Sequence, residues 1–466
     1  MKINKKQLIH IIGIGGIGMS GIAEILNGLG YSVQGSDINL NSNILRLRER
    51  RIKVYIGHSQ KNLKNVDLVV YSSAIKKNNK ELKFAKSNLI PSISRSNILA
   101  QLVNLKKTIA ISGSHGKTTT TSLIASVLSK SNFKPTIING GIINEYGTNT
   151  KLGSGKWMVV EADESDSTFL ELSSVISVVT NIDEEHLDHY KSFSNLKKSF
   201  KKFITQVPFY GYAVVCNDNK HIKQLINKIT TTKIIKYGFN SDNDVRATNI
   251  RFKDNKTSFD LSVRDDDNKT KKYKNFLIPL IGRYNVLNAL ATIAVAINLD
   301  IKVASIKKSI VSFKGVERRL AHIGKVKNVE IIDDYAHHPT EIYNVLSGIR
   351  ESRSSNNLVT IFQPHRFSRI ISLKKEFSKA FSYSDVVMVS EVYSAGEQKP
   401  RKFQLDNLIR NIANKSKTKA VFYKNNDSIL DLIDQSKGKT TIVFLGAGSV
   451  TEWAHEFYDV LKKAYE

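Results

Sequence analysis

The strongest chemical signal in the sequence is a glycine-rich segment, GSHGKTT at 113–119. The β-branched run Ile109–Ser112 precedes it, and an amphipathic stretch over 117–130 follows it. In a phosphate-binding loop of this kind, backbone amides surround the phosphates, the lysine contacts the β- and γ-phosphates, and the next hydroxyl binds Mg²⁺. The standard loop has a glycine where Ile111 stands, so this loop is a shorter variant. It predicts a nucleoside triphosphate site. A structural turn without a ligand is the alternative.

An acidic stretch follows the loop. From Glu161 to Tyr190 the chain has no Lys or Arg, although its 466 residues include 70 of them. Glu161 ends one apolar run, and His186 follows another, Val175–Thr180. A carboxylate and an imidazole at the ends of neighbouring strands can bind one cation, together with the hydroxyl of Thr118. The stretch therefore predicts a Mg²⁺ site, and a solvated acidic loop is the alternative.

A second glycine-rich turn, GIGGIG at 13–18, lies directly after the first apolar run and begins a helical pattern. Asp37 lies 19 residues past Gly18, at the end of the next predicted strand. Glycines allow the backbone to approach a diphosphate, and a helix N-terminus offers unpaired N–H groups to it. This pattern is typical of dinucleotide binding, but it suits any diphosphate-linked nucleoside equally well. A tight turn without a ligand is also possible.

Three later motifs offer polar groups for substrates. In GRYNVLNA at 282–289, Asn285 can bind an adenine edge or can cap the helix. Two polar segments follow, Arg318-Arg319 and DDYAHHPTE at 333–341. They predict substrate and phosphate contacts or a loop held in place by polar contacts, and less favourably a transition-metal site. In QPHRFSR at 363–369, Arg366 and Arg369 lie three residues apart and can hold a carboxylate from one helical face. A basic surface is the alternative for this last motif.

The elements that position these motifs alternate along the chain. Short β-branched runs are followed by longer amphipathic stretches, which predicts the α/β class with mostly parallel sheets. Breaks near 105 and near 315 suggest three domains: 1–105, 106–315 and 316–466. The polar, alternating segment 241–275 is expected to form a β-hairpin within the second domain.

Composition narrows the function classes. The net charge is +28, and it could serve nucleic acid, an anionic membrane surface or small anionic substrates. Only 17 of the 70 cationic residues are Arg, the residue that reads bases most often, so a Lys-rich solvated surface is favoured and no nucleic-acid partner is expected. No apolar run approaches the roughly 18 residues of a membrane span, so no membrane insertion is expected. A single cysteine, Cys216, fits a reduced, cytoplasmic setting.

The motifs together resemble the Mur ligase family. The resemblance covers nearly the whole chain and rests on the N-terminal glycine turn and on GSHGKTTTT, EADESD, TNIDEEHLDHY, GRYNVLNAL, GVERRL, DDYAHHPTE, QPHRFSR and VYSAGE, in that order. It implies a Rossmann-like first domain that holds UDP rather than NAD, a P-loop ATPase-like second domain that binds ATP and Mg²⁺, and a Rossmann-like third domain that admits an amino acid. DDYAHHPTE and QPHRFSR favour the alanine-adding members over those that add D-glutamate, diaminopimelate or D-Ala-D-Ala.

The implied reaction joins L-alanine to UDP-N-acetylmuramate with ATP, through an acyl phosphate. The recycling ligase that attaches L-Ala-γ-D-Glu-diaminopimelate remains an alternative, and the chain is expected to be a monomer or a homodimer. The family motifs imply catalytic roles for Lys117, Glu161, His186 and Arg319, and Mg²⁺ binding by Thr118, Glu161 and His186. They imply ATP binding by Gly113, Ser114, His115, Gly116, Lys117, Thr118, Thr119, Asn285, Arg319 and Asp334. The UDP-sugar would contact Gly13, Gly15, Gly16, Gly18, Ser36, Asp37, Ser73 and His115, and the amino acid Tyr335, His337, His365, Arg366 and Arg369.

Two positions depart from the family pattern, and two other function classes compete with it. Tyr284 stands where the family usually has His, and Glu391 stands where Asp is more usual. Family members with a carbamylated lysine place it near Phe200, so a second Mg²⁺ site is not assigned.

A dehydrogenase built on the first glycine turn leaves the phosphate-binding loop and the acidic stretch unexplained. A Lys-rich nucleic-acid binder would have no need of Lys117, and folylpolyglutamate synthase would not need the first domain.

Overall fold

The computed structural model describes residues 7–72, 74–253, 255–265, 267–352, 357–434 and 438–465. The described part of the chain contains three sheets. It divides into two compact units. The first unit contains the described residues as far as Thr248, with Asp260–Lys274 and Leu287–Lys314, and the second contains Asn249–Phe259, Asn275–Val286 and the described residues from Gly315 onward.

The first sheet has five parallel strands in the order β3-β2-β1-β4-β5, as in a Rossmann-like domain. Its strands are β1 (Leu8–Ile12), β2 (Ser32–Asp37), β3 (Lys53–Ile56), β4 (Leu68–Tyr71) and β5 (Ser92–Ser94). Its helices are α1 (Ile17–Gly28), α2 (Ser42–Glu49), α3 (Lys80–Ser87) and α4 (Arg95–Val103). β1 is apolar because both faces of a parallel sheet are covered, and Ile9, Ile11 and Ile12 are all buried.

The second sheet has ten strands in the order β15-β14-β13-β12-β11-β10-β6-β9-β7-β8, parallel from β13 to β7 and closed by the antiparallel β8. Its strands are β6 (Lys107–Ser112), β7 (Thr136–Ile143), β8 (Thr148–Lys151), β9 (Trp157–Glu161), β10 (Ile176–Val179), β11 (Tyr212–Cys216), β12 (Lys233–Gly238), β13 (Val245–Lys253), β14 (Lys256–Arg264) and β15 (Thr270–Ile278). The helices are α5 (Lys117–Lys130), α6 (Leu187–Tyr190), α7 (Phe193–Thr205), α8 (Lys220–Ile226), α9 (Arg283–Ile297) and α10 (Val303–Val311). The segment predicted as a hairpin over 241–275 thus forms three strands, because its polar alternation continues through β15.

The third sheet has the order β16-β17-β21-β18-β19-β20 and is parallel except for β16. Its strands are β16 (Ala321–Val326), β17 (Val329–Asp334), β18 (Asn357–Phe362), β19 (Val386–Val389), β20 (Lys419–Phe422) and β21 (Thr440–Leu445). The helices are α11 (Pro339–Ser352), α12 (Phe367–Ser372), α13 (Lys374–Phe377), α14 (Leu405–Ser416), α15 (Asp427–Asp434) and α16 (Val450–Tyr465). Two apolar clusters, one containing Phe362 and the other Phe444, form the core on this sheet.

The predicted three-domain α/β architecture with mostly parallel sheets is confirmed. Each sheet lies within one of the three predicted domain ranges, whose boundaries stay a prediction. None of the described helices is both long and apolar enough to cross a bilayer. Chemistry-bearing segments follow the carboxyl ends of β1, β6, β9, β10, β17 and β18, where open α/β sheets bind their ligands.

Candidate functional site

The phosphate-binding loop connects β6 to α5 through two glycines with positive φ. Gly113 has φ +136° and Gly116 has φ +81°, conformations that side chains rarely adopt. A Cβ at Gly116 would lie 2.6 Å from Oδ1 of Asn288, and the same oxygen accepts a hydrogen bond from Thr120 at 3.1 Å. Asn288 in α9 therefore supports the first turn of α5, a role that the sequence prediction did not assign.

The residues after β10 hold the loop from its other side. The backbone N–H of His115 donates to Oδ1 of Asn181 at 2.8 Å, and the Thr180 hydroxyl donates to the His115 carbonyl at 2.6 Å. The Asp183 N–H donates to the Ser114 hydroxyl at 2.8 Å. Nε2 of His115 lies 2.9 Å from a carboxylate oxygen of Asp183. These bonds fix both the loop and the His115 ring, whose predicted substrate contact stays a prediction.

Lys117 is the first residue of α5, and its ammonium group lies at the loop. Nζ donates to the carbonyl oxygens of Gly113 at 2.6 Å and Ser114 at 3.1 Å, and to Oε1 of Glu164 at 2.9 Å. Burial alone would lower the pKa of Lys117, but the charges of Glu164, Asp163 and Glu161 raise it well above its usual value. Lys117 is therefore a permanent cation where the motif predicts the β- and γ-phosphates.

The three predicted Mg²⁺ ligands fall into two neighbouring groups. The Thr118 hydroxyl donates to Oε1 of Glu161 at 3.2 Å, and Thr119 is buried beside it in the same helical turn. Nε2 of His186 instead lies 3.6 Å from Oε1 of Glu164. Among the described residues, Glu164, Glu185 and His186 bring ligand atoms within 4.8 Å of one another. The structure thus places His186 beside Glu164, and Mg²⁺ binding by Thr118, Glu161 and His186 stays a prediction.

Glu164 is a further candidate cation ligand, one that the sequence prediction did not select. Its side chain is almost fully buried, and its Oε2 has no hydrogen-bond partner among the described residues. A buried carboxylate oxygen with an open coordination position suits Mg²⁺, which takes oxygen ligands. Burial alone would lower the pKa of His186. The Glu164 hydrogen bond and the charges of Glu164 and Glu185 outweigh burial, so the pKa lies above its usual value. The EADESD motif contained this residue, but sequence spacing favoured Glu161 at the strand end.

The N-terminal glycine turn is closed by Asp37. The Gly15 N–H donates to Oδ2 of Asp37 at 2.9 Å, and a Cβ at Gly15 would lie 2.9 Å from that oxygen. Gly13 has φ +79°, and Gly16 precedes α1 as its N-cap. The structure therefore brings together the glycines and the carboxylate that the spacing predicted. Ser73, also predicted to contact the UDP-sugar, lies outside the described residues.

The Ser36 side chain is buried, and its predicted contact with the UDP-sugar stays a prediction. Its hydroxyl donates to Oε2 of Glu81 at 2.5 Å and lies 3.0 Å from Nδ1 of His58 and 3.4 Å from Nε2 of His10. Nδ2 of Asn62 donates to the other Glu81 oxygen at 2.6 Å. Ser36 therefore anchors the end of β2 to a buried polar network centred on Glu81. Sequence reasoning missed this network because its members come from separate elements.

Arg95, at the start of α4, is a further residue that sequence reasoning missed. Its Nη1 would lie 3.1 Å from a Cβ at Gly18, in the first turn of α1. Its Nη2 lies 4.0 Å from a carboxylate oxygen of Asp163 in the acidic stretch. A guanidinium beside a diphosphate-binding turn is a suitable phosphate ligand.

In the second unit, Asp334 is a buried carboxylate at the end of β17. Its two oxygens accept from the N–H groups of Leu320 at 2.7 Å and Ala336 at 2.8 Å. Burial raises the pKa of Asp334 to about 6, although Arg319 and these amides oppose the rise. Tyr284, which departs from the family pattern, packs against the apolar cluster that contains Phe362. Burial raises the pKa of Tyr284 well above its usual value, the charge of Asp334 adds to the rise and that of Arg319 opposes it.

Asn285 is buried, and its Nδ2 donates to the Ile281 carbonyl at 2.8 Å. This bond ties the side chain to the segment that precedes α9, but it is not the acceptance from backbone amides that a helix cap requires, so the capping alternative also stays a prediction. The adenine contact stays a prediction. Arg319 lies over the Tyr335 ring at 5.2 Å and 3.9 Å from the Glu341 carboxylate.

The predicted amino-acid residues do come together. The rings of Tyr335 and His337 are 5.2 Å apart, and those of His337 and His365 are 5.7 Å apart. Nη1 of Arg369 donates to Nδ1 of His365 at 3.1 Å, so the proton of the neutral imidazole lies on Nε2. Arg366 is exposed, with φ +65° at the start of α12.

Both imidazoles in this cluster are uncharged at neutral pH. Burial lowers the pKa of His337 to about 3, and the Arg369 charge contributes to that shift. Burial, with Arg369 and Arg366, lowers the pKa of His365 to about 4. The positive charge of this cluster is therefore carried by Arg366 and Arg369. This arrangement suits an amino acid, because the arginines can bind its carboxylate and the uncharged imidazoles do not repel its ammonium group.

Comparison with known proteins agrees with this site. Three family models match the chain: "Mur ligase family, catalytic domain" at 8–107, "Mur ligase middle domain" at 111–296 and "Mur ligase, glutamate ligase domain" at 318–448. Curated UDP-N-acetylmuramate–L-alanine ligases of Mesorhizobium japonicum and Brucella ovis are each 46% identical, over 96% of this chain and 96% of their own lengths.

Solved structures give the same result. The UDP-N-acetylmuramate–alanine ligase of Thermotoga maritima is 27% identical with a TM-score of 0.82, covering 98% of this chain and 99% of that one. A murein peptide ligase from Psychrobacter arcticus, 23% identical with a TM-score of 0.70 and 98% coverage of both chains, shares the fold. By its sequence relatives, its matched domains and its phosphate-binding loop, the chain belongs to the Mur ligase family.

Proposed function

We propose that this chain joins the amino group of L-alanine to the carboxylate of UDP-N-acetylmuramate and consumes ATP in doing so. The observation that carries the proposal is the Lys117 ammonium group, fixed at a rigid phosphate-binding loop by two carbonyls and Glu164. The alanine acceptor is favoured by the names of relatives that share 46% of their residues with this chain. A cytoplasmic setting suits these substrates.

The proposed reaction has two steps. The γ-phosphoryl group of ATP passes to the sugar carboxylate, and the alanine amine then attacks the acyl phosphate and expels phosphate. Phosphoryl transfer depends mainly on positioning and on neutralising charge. Lys117 supplies a fixed cation, and the loop amides orient the phosphates.

Mg²⁺ fits the neighbouring carboxylates, and we propose Thr118, Glu161, Glu164 and His186 as the residues that hold it. The supporting observation is the buried Oε2 of Glu164, which has no hydrogen-bond partner in the described part of the chain. When bound, the ion supplies further charge neutralisation to the phosphates. Glu164 also keeps Lys117 protonated, so one carboxylate serves both cations.

The alanine site is proposed at the cluster of His365, Arg369, His337 and Tyr335, with Arg366 beside it. Arg369 is oriented by its bond to His365 and can bind the alanine carboxylate. The neutral His337 ring donates from Nδ1 to the Tyr335 carbonyl, so its Nε2 can accept a hydrogen bond from the amine, and neither imidazole repels the ammonium group by charge. At the other substrate, Asp37 and the glycine turn are proposed to hold the UDP group, and Arg95 its diphosphate.

Phosphate release in the presence of ATP, Mg²⁺ and UDP-N-acetylmuramate tests the proposal. We expect release with L-alanine, and little with glycine, L-serine, D-glutamate or L-Ala-γ-D-Glu-diaminopimelate. Preference for the tripeptide would instead assign the chain to murein peptide recycling. NAD(P)H turnover with a hydroxy acid, without ATP use, would contradict a ligase.

Lys117→Ala should reduce phosphate release to background while the circular dichroism spectrum stays that of the wild type. Lys130→Ala, at the other end of α5, is the matched control and should keep its activity. Near-normal turnover by Lys117→Ala would contradict the assigned role of the loop.

A further inference from the structure

A surface at the amino ends of the central strands has no role in the proposed reaction. A cavity of about 800 Å³ lies there, where β6, β9, β10 and β11 begin. Because these strands are parallel, the phosphate-binding loop lies at their opposite ends. β6 has six residues, which at about 3.3 Å each separates the two ends by about 20 Å. A partner on this surface would therefore leave the loop uncovered.

The surface exposes large apolar side chains. Phe209 is 100% exposed, Tyr210 is 63% exposed and Leu105 is 55% exposed. Tyr210 and Leu105 line the cavity. Phe209 and Tyr210 occupy the two central positions of a tight turn, in which the Gly211 N–H donates to the Pro208 carbonyl at 2.8 Å. Both rings are thus exposed at the tip of a hydrogen-bonded turn.

The same surface is basic. Lys107 and Lys156 are exposed and line the cavity, and Glu171 is the single acidic residue in its lining. Exposed Lys198 and Lys202 precede Gln206, which also lines the cavity, at intervals of four residues along α7. Residues four apart lie on one face of a helix, so this lysine row continues the cavity's edge.

Exposed aromatic rings within a field of lysines match the chemistry of an anionic lipid surface. Aromatic side chains enter the interfacial region of a bilayer, and lysines are attracted to acidic headgroups. A second copy of the chain fits less well, because an isologous contact would place these lysines against one another. Single-stranded nucleic acid also fits less well, because the two rings lie at 89° to each other and cannot stack on successive bases.

We propose that the surface formed by Leu105, Lys107, Lys156, Lys198, Lys202, Phe209 and Tyr210, the amino-end surface, docks peripherally on anionic bilayers. Phe209 and Tyr210 enter the headgroup region, and the lysines contact acidic lipids. The docking needs no spanning segment. It keeps the phosphate-binding loop on the side turned away from the bilayer, where soluble substrates reach it.

Co-sedimentation of the full-length protein with lipid vesicles tests this proposal. We expect binding to phosphatidylglycerol–phosphatidylcholine vesicles, weaker binding as salt rises, and little binding to pure phosphatidylcholine. Phe209→Ser/Tyr210→Ser should weaken the vesicle partition coefficient at least about tenfold, because most of the inserted apolar area is lost. Lys198→Ala/Lys202→Ala should weaken it about tenfold or more.

Matched controls are available on other surfaces. Leu89→Ser removes another exposed apolar side chain, and Lys271→Ala/Lys272→Ala removes two exposed lysines of β15. Both should bind vesicles like the wild type, and all of these variants should keep their phosphate release with soluble substrates.

Several results would overturn the proposal. They are absence of wild-type binding to anionic vesicles, equal loss in the control variants, and a Phe209-dependent dimer in sedimentation without lipid. Stronger retention on a single-stranded oligonucleotide than on vesicles would also overturn it. None of these measurements depends on which amino acid the enzyme uses, so the proposed function and the docking can fail separately.

Discussion

Replacing Glu81 with Gln tests whether the buried network beneath the N-terminal glycine turn stabilises the first domain through its charge. Glu81 is fully buried and contacts Ser36, Asn62, His58 and His10. Burial alone would raise the pKa of Glu81, but hydrogen bonds from His10, Ser36 and Asn62 and the charge of His10 lower it from 4.5 to about 2.

The size of the effect follows from that difference in pKa. A lowering of about 2.5 units corresponds to about 3 kcal/mol of folding free energy. The folded-state pKa lies below the unfolded value, so this contribution is complete above about pH 4.5 and is lost as the pH falls toward about 2. Near pH 3 the stabilisation by Glu81 should be about half of its full value.

Hydrogen–deuterium exchange of peptides from β1 and β2 measures this effect locally, without assuming that the whole chain unfolds together. At pH 7, Glu81→Gln should lower the free energy of opening by about 3 kcal/mol, which is roughly a hundredfold loss of protection. Glu49→Gln, an exposed substitution at the end of α2, is the control and should change little.

A free energy of opening in Glu81→Gln that lies within about 0.5 kcal/mol of the wild-type value would refute the reasoning. So would a difference that is equally large at pH 7 and pH 3, because the shape of the side chain would then be responsible rather than its charge. We also expect a higher KM for the UDP-sugar, since Ser36 precedes Asp37 at the end of β2.

Two further substitutions test the other sites. Gly113→Ala should lower kcat/KM for ATP about 100-fold, because φ is +136° and the new Cβ would overlap the Thr180 hydroxyl. Gly147→Ala, at φ +62° with no atom near its Cβ position, is the matched control and should retain activity; equal losses would show that strain alone is responsible. Arg369→Lys should raise the KM for L-alanine about tenfold with a smaller change in the KM for ATP, because a lysine cannot bind a carboxylate in bidentate fashion. An unchanged KM for L-alanine in that variant would remove Arg369 from the amino-acid site.

The apolar runs and turn motifs were enough to predict the fold class. Buried parallel strands need continuous apolar runs, and glycines are needed where the backbone takes a positive φ, as at Gly113 and Gly116. Asp37 and the glycine turn were predicted together because their spacing is set by one β–α–β unit. These are local requirements, and the sequence alone determines them.

The partners of each functional side chain required the tertiary structure. Spacing assigned Glu161 and His186 to one cation, and the fold in addition sets His186 against Glu164, which accepts a hydrogen bond from Lys117. Ser36 directly precedes Asp37, which is predicted to contact the UDP-sugar, yet the Ser36 hydroxyl donates to Glu81, 45 residues later in the chain. Burial and long-range charge also set the protonation of His337 and His365, because desolvation depends on what surrounds a group rather than on its neighbours in sequence.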